Sequence, residues 1–151
     1  MDMEGIIATE LFNAVIRAVT GISPDVRRLL EKAYQGETDG KGQNITRSML
    51  ENLDVARMND KAVCQSPGYP TTYLFYNDSF PVATVKPAVA RALGEATKKG
   101  YLRPSIVDPL TRNNPGDNTG EGVPNIEYIY TPQQEYTDFF ISFKGLSLIH
   151  I

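Results

Sequence analysis

Four short stretches hold the residue types that could do chemistry. The first is Val63-Cys64-Gln65-Ser66-Pro67-Gly68-Tyr69-Pro70, which contains the only cysteine in the chain. Free cysteines are among the most buried residues and are mostly inert, so spacing alone favours a core thiol. Pro67 and Gly68 nevertheless force a turn directly after Cys64, and an element end suits a thiolate that must reach a metal or a substrate. A lone cysteine cannot hold a metal, because a structural zinc takes about four ligands. The other soft donor, His150, lies in a terminal segment to which no role is assigned.

The second stretch is Leu102-Arg103-Pro104-Ser105. Arg103 reads as a surface arginine after a helix, or, with Pro104 pinning its backbone, as a fork that matches both oxygens of a carboxylate. The third runs from Asn113 to Pro124, NNPGDNTGEGVP. Its glycines and asparagines resemble an anion cradle of backbone amides, and they fit a plain flexible loop equally well. It is not a P-loop, since neither Gly-Lys-Ser/Thr nor an opening helix follows. The fourth, Lys144-Gly145, means nothing by itself.

These stretches hang on a chain of 151 residues, long enough for one domain with its own core. A composition of 41% hydrophobic and 22% charged residues is that of a globular protein. The net charge of −3 and scattered basic residues argue against nucleic acid, which needs a basic stripe. No uninterrupted apolar run approaches the ~20 residues that cross a bilayer, so no membrane partner is expected. The start, Met1-Asp2-Met3-Glu4, lacks the basic region of a signal peptide. With one cysteine there is no internal disulfide, and a cytoplasmic location is the expectation.

Helices dominate the first half. Ile7, Leu11, Phe12, Val15, Ile16 and Val19 form one apolar stripe at helical spacing, closed by Gly21. Ser23-Pro24 restarts the chain as N-cap and first helical residue, with Val26, Leu29, Leu30 and Ala33 expected inward and Gly36 at the end. Residues 36–42 read as a polar loop. A third helix carries Ile45, Met49, Leu50, Leu53 and Ala56 on one side. Thr71 to Tyr76 reads as a strand. Val85, Val89, Ala92, Leu93 and Ala96 make a fourth helix, closed by Lys98-Lys99-Gly100. Residues 104–125 hold turn formers without periodicity. Ile126–Tyr130 and Tyr136–Phe143 read as two strands joined as a hairpin around Pro132. This order predicts an α+β fold: N-terminal helices, then a small mixed or antiparallel sheet with a crossing helix and a long Asn/Gly-rich loop.

Taken in order, "CQ-x-x-G", "LR-x-S", "N-x-x-G-x-N-x-G-x-GVP" and a strand ending in "KG" resemble the N-terminal (alpha) part of the iron–sulfur-dependent hydro-lyases. That family includes class I fumarate hydratase and L-tartrate dehydratase. The resemblance runs from about Ala18 to Gly145, and the phrase Val19-Thr20-Gly21-Ile22-Ser23-Pro24-Asp25-Val26 is similar to one branch of the family. It implies a [4Fe-4S] cluster held by three cysteines, with one open iron acting on a substrate hydroxyl as a Lewis acid. Cys64 would be the first of those ligands. Gln65 would line the substrate pocket, Arg103 would grip a substrate carboxylate, Asn118 and its loop would shape the pocket wall, and Gly145 would begin a turn beside the substrate. The commonest family motif is "CQDTG", so Ser66-Pro67-Gly68 is a departure that bears on substrate identity. Pro115 likewise replaces a threonine usual in the loop.

The resemblance also implies well over a hundred further residues, with the other two cluster cysteines. Leu146-Ser147-Leu148-Ile149-His150-Ile151 does not resemble that continuation. Residues 1–145 are therefore expected to be a partial alpha domain and 146–151 a non-native tail. With one cysteine the fragment cannot close a three-thiolate site, so no stable cluster and no activity are expected of it alone, and no catalytic residue is assigned here. Partners would be a small dicarboxylate, fumarate/malate ahead of L-tartrate/oxaloacetate, and a beta subunit or fused C-terminal part, in a homo- or hetero-oligomer. The competing expectation is a small-anion-binding or purely structural domain with Cys64 buried and inert.

Overall fold

The computed structural model describes residues 2–64 and 68–144. Gln65, Gly145, His150 and the rest of the tail therefore lie outside the described residues.

Helix α1 spans Met3–Thr20, and the Asp2 carboxylate caps it by accepting from the Gly5 amide at 2.8 Å. Such a cap contributes about 1 kcal/mol. Its expected stripe is the one that goes inside: Ile7, Leu11, Val15 and Val19 are all buried. The stretch Met3–Gly36, of which α1 is the first part, contains a window apolar enough by length and composition to pass for a membrane span. Helix α4, Val85–Lys98, lies against α1 and buries Val85, Ala88, Val89, Ala92, Leu93 and Ala96. It ends at Gly100, whose φ of +82° suits a residue without a Cβ. There the Tyr101 amide donates to Ala96 and the Gly100 amide to Thr97, the paired bonds of a Schellman stop.

Strand β1, Tyr69–Tyr76, begins two residues earlier than its β-branched run suggests. Leu74, fully buried, points from β1 into the core shared by α1 and α4. β2 spans Asn125–Tyr130 and β3 spans Asp138–Lys144. The sheet is mixed, as the α+β expectation allowed, but the hairpin is not there. The order is β2-β1-β3, with β2 parallel and β3 antiparallel to β1. The intervening residues 131–137 straddle the end of β1. The Thr131 amide donates to the Tyr76 carbonyl at 2.8 Å, and the Asn77 side-chain amide donates to the Gln134 carbonyl at 2.8 Å. A connection of that length can step across a strand of about 4.8 Å width, which a tight two-residue turn cannot.

Helices α2, Pro24–Gly36, and α3, Gly40–Met58, pack on one another. Asp39 caps α3 by accepting from the Gly42 amide, so helix replaces most of the expected 36–42 loop. The inward face assigned to α2 is not inward: no α2 residue is buried, and Leu29 is 65% exposed. Ile45 and Met49 on α3 are exposed as well. Only Leu53 and Ala56, near the end of α3, are buried. The two helices shield each other's flanks, and their remaining apolar positions have no covering layer among the described residues.

Thr72 sits on the core face of β1, opposite Ile126 and Ile141, at 1% exposure. Its hydroxyl has no hydrogen-bond partner there. An orphaned buried hydroxyl costs more than the methyl that would replace it. Thr72→Val should therefore raise stability by about 1 kcal/mol and the melting temperature by about 3 °C. Calorimetry showing a lower melting temperature would mean that the hydroxyl is satisfied in solution.

Candidate functional site

The strand register decides what meets what. Thr71 lies opposite Asn125 and Tyr69 opposite Lys144, so the starts of β1 and β2 and the end of β3 share one rim. Gly68 before β1, Gly120 to Pro124 before β2, and Lys144 all arrive there. The Tyr69 hydroxyl ties two of these segments directly by donating to the Gly122 carbonyl at 2.9 Å. Gly122 has a φ of +71°, which turns the chain back toward β2.

Cys64 is exposed. Spacing favoured a core thiol, and the structure rejects it. The residue before it is anchored twice: the Val63 amide donates to the Val19 carbonyl at 2.8 Å, and the Asn52 side-chain amide donates to the Val63 carbonyl at 3.0 Å. The last turn of α1 and the middle of α3 thus hold the approach to an outward thiol. Among the described residues, no three His, Cys, Asp or Glu side chains group closely enough to hold a metal ion.

Arg103 follows the buried Leu102 and is exposed. No carboxylate among the described residues pairs with it. Its backbone is clamped from the 113–124 loop. The Asn118 side-chain amide donates to the Arg103 carbonyl at 2.9 Å, and that of Asn114 donates to the Pro104 carbonyl at 2.9 Å. The rigidity expected from Pro104 alone is thus supplied mostly by two asparagines.

Asn118 is the centre of this arrangement. It is 4% exposed, with a φ of +60° that asparagine tolerates better than most residues. Its Nδ2 also donates to Thr97 Oγ1 at 2.9 Å, and its Oδ1 accepts from the Ser105 amide at 3.0 Å. Thr97 in turn donates to the Leu93 carbonyl at 2.7 Å, which leaves its oxygen free to accept from Asn118. One side chain therefore joins α4, the Arg103 segment and the glycine-rich loop. Thr97 and Tyr69 were missed in the sequence. The signal for Thr97 was a polar residue four positions after Leu93 on an otherwise apolar stripe.

The loop does not present an open cradle of amides. The Gly116 amide donates to Asn114 Oδ1, the Thr119 amide to Asp117 Oδ1, and the Thr111 amide to Asp108 Oδ1. These short-range bonds make the segment a self-knit scaffold. The Thr111 amide and hydroxyl and the Leu110 amide hold the Asp108 carboxyl below its usual range. A cavity of about 530 Å³ opens between this loop and Tyr69, with Ile106, Pro109 and Val123 as apolar walls. Among the described residues its charged lining is Asp108 and Glu121, both acidic. The cavity on its own therefore repels a dianion, and Arg103 is not part of its wall.

Against known families, residues 8–146 match the model for fumarate hydratase (Fumerase), and the chain belongs to that family. It is 32% identical over 136 residues to a provisionally named class I fumarate hydratase of Geobacillus stearothermophilus, covering 89% of this chain and 26% of that protein. It is 30% identical over 127 residues to a provisionally named L(+)-tartrate dehydratase alpha subunit of Methanocaldococcus jannaschii, covering 81% of this chain and 44% of the relative. The L(+)-tartrate dehydratase alpha subunit of Escherichia coli is 27% identical over 135 residues, again 44% of its length. The chain spans between about a quarter and somewhat under half of these relatives.

Proposed function

We propose that residues 1–145 are part of the alpha domain of a hydro-lyase that adds or removes water across a small dicarboxylate, fumarate/malate first and L-tartrate/oxaloacetate second. The supporting observation is the convergence of Gly122 and Lys144 at the start of β1, the strand that Cys64 precedes in sequence, with Arg103 fastened to the same loop through Asn118. Arg103 would take one substrate carboxylate, since its exposed fork has no protein carboxylate to compete for it. Asn118 would act on the pocket wall through the backbone it holds. Gln65 and Gly145 would line the substrate from the segments next to Cys64 and Lys144. The acidic cavity beside Tyr69 is a poor place for a dianion, so substrate would sit on the Arg103 side of the loop.

The family resemblance implies a [4Fe-4S] cluster, and the donors of this chain do not complete one. Cys64 is a single outward thiolate where three are needed. The remaining ligands, and the groups that move protons, would come from a beta subunit or a fused C-terminal part, in a cytoplasmic oligomer. Residues 146–151 would play no part.

The test is the full-length protein assayed side by side on fumarate, mesaconate and L-tartrate. Hydration or dehydration of at least one is expected, and Arg103→Ala should raise KM about 30-fold, as loss of a charge-assisted hydrogen-bonded pair requires. Lysine at 103 should recover little of this, because an ammonium cannot make the paired bonds. Absence of turnover on all three, or an unchanged KM in the variant, would sink the reading.

A further inference from the structure

Thr97 stands in the last turn of α4 and is the one polar side chain among that helix's buried residues, at 8% exposure. The helix itself has no use for a hydroxyl there, since a valine would continue the apolar stripe of Leu93 and Ala96. A buried threonine can spend its proton on the carbonyl four residues back, and Thr97 donates to Leu93 at 2.7 Å. The Asp117 carbonyl, at 3.5 Å, is the weaker alternative. With its proton spent, Thr97 Oγ1 can only accept, and what reaches it is Asn118 Nδ2. The other proton of Nδ2 goes to the Arg103 carbonyl, while Oδ1 faces the amides of Ser105 and Ile106 at 3.0 and 3.4 Å. A half-turn of the Asn118 amide would set oxygen against oxygen on one side and nitrogen against N–H on the other. Thr97 and Asn118 therefore fit together in one arrangement, enclosed by residues of this chain.

We propose that Thr97 is a positioning residue that acts through Asn118 on the carboxylate grip of Arg103; this rests on the reading of Arg103 as a carboxylate-binding residue. A closed circuit joins the two. From Thr97 the backbone runs through the Gly100 stop and the buried Leu102 to the Arg103 carbonyl, and Asn118 bridges that carbonyl back to Thr97. Helix α4 is the fixed side of the circuit, because its apolar stripe is packed against α1. Arg103 is exposed and pairs with no carboxylate among the described residues, so its placement comes from its backbone. Loss of the Thr97 hydroxyl opens the circuit at the helix and leaves Asn118 joined to Arg103. The Arg103 segment and the glycine-rich loop then stay together and shift as a unit against α4. Loss of Asn118 acts differently, because it parts the loop from Arg103. A guanidinium that must meet both oxygens of a carboxylate is sensitive to such a shift, since displacements on the order of 1 Å are costly where paired bonds must form.

Steady-state kinetics of the full-length protein on fumarate, mesaconate and L-tartrate supply one test. Thr97→Val keeps the shape and removes the hydroxyl; it should raise KM about fivefold, the worth of one hydrogen bond, with kcat within about twofold of wild type. Thr97→Ser keeps the acceptor and loses the methyl, and it should recover most of the wild-type KM, the reverse of what packing alone would give. In an Arg103→Ala background Thr97→Val should add little, because the group it positions is gone. A KM unchanged in the valine variant, a serine variant as weak as valine, or effects that multiply in the double variant would overturn the proposal. If wild type turns over none of the three, or Arg103→Ala leaves KM unmoved, it is the reading of Arg103 that fails. Amide hydrogen exchange on the 151-residue chain then decides the positioning without any activity. The Ser105 amide should exchange about tenfold faster in Thr97→Val, with Thr97→Ser close to wild type and the α4 amides as protected as before. Unchanged Ser105 protection would overturn the proposal whatever the kinetics give.

Discussion

Replacing Asn118 with alanine should lower the melting temperature by about 10 °C. The side chain is almost wholly buried and serves three partners on two segments: Thr97 Oγ1 on α4, and the Arg103 carbonyl and Ser105 amide after it. Removing it leaves these groups desolvated without a replacement, at about 1 kcal/mol each or somewhat more. A loss of about 3 kcal/mol in a domain of this length corresponds to the stated shift. The backbone adds a second cost, since a φ of +60° suits alanine less than asparagine. Asn118→Gly separates the two contributions: it relieves the backbone but restores no hydrogen bond, and it should recover only a small part of the loss. Asn118→Asp keeps the acceptor that Ser105 needs, removes both donors and buries a charge, so it should melt no higher than the alanine variant. In the full-length protein the same substitutions should raise KM for the dicarboxylate, because the Arg103 backbone loses its clamp. An alanine variant melting within about 1 °C of wild type would show that the loop is held by something other than Asn118.

The contrast between what could and could not be read from the sequence follows from the range of the interactions. The inward stripes of α1 and α4 were legible because a helix repeats its buried face every three to four residues and carries its own caps. Gly100 after α4 is such a local signal, whereas the Asp2 cap of α1 emerged only in the structure. Two strands were legible over 126–130 and 136–143 from their β-branched and aromatic residues, although the second begins only at Asp138. Their pairing was not, because periodicity gives the face of a strand and never its neighbour. The ladder of β1 with β2 on one side and β3 on the other shows that the connection crosses β1, and the Thr131–Tyr76 and Asn77–Gln134 bonds fasten it there. The α2 stripe failed differently. Its apolar spacing is real, but what would cover Val26 and Leu29 is not among the described residues.

The site shows the same division. Cys64 and Arg103 could be singled out by residue type and by their neighbours Pro67, Gly68 and Pro104. Asn118 was named as part of a pocket wall, and its work as a fastener between α4 and Arg103 depends on contacts 15 and 21 residues away. An open amide cradle was one of two equal readings of a loop rich in asparagine and glycine, the other being a plain flexible loop. Its own side chains accept from those amides instead, as Asn114 does from Gly116 and Asp117 from Thr119. Composition favours a turn, and it does not reveal which acceptor a turn amide has found.

Anaerobic incubation of this chain with ferrous iron and sulfide should yield far fewer than four irons per chain and no broad charge-transfer absorption. A [4Fe-4S] cluster with one open iron needs three thiolates, and this sequence contains one. Two copies of this chain together would still bring only two cysteines. Cys64→Ser should therefore leave the iron content of this chain unchanged. In the full-length protein the same substitution should abolish both the cluster and turnover, because there Cys64 would have its two partners. The pair of measurements separates a ligand without partners from a thiol with no role: the first predicts a large effect of Cys64→Ser only in the longer protein, the second predicts none in either. About four irons per chain here, with the charge-transfer band, would overturn the assignment of the missing ligands to polypeptide beyond these 151 residues.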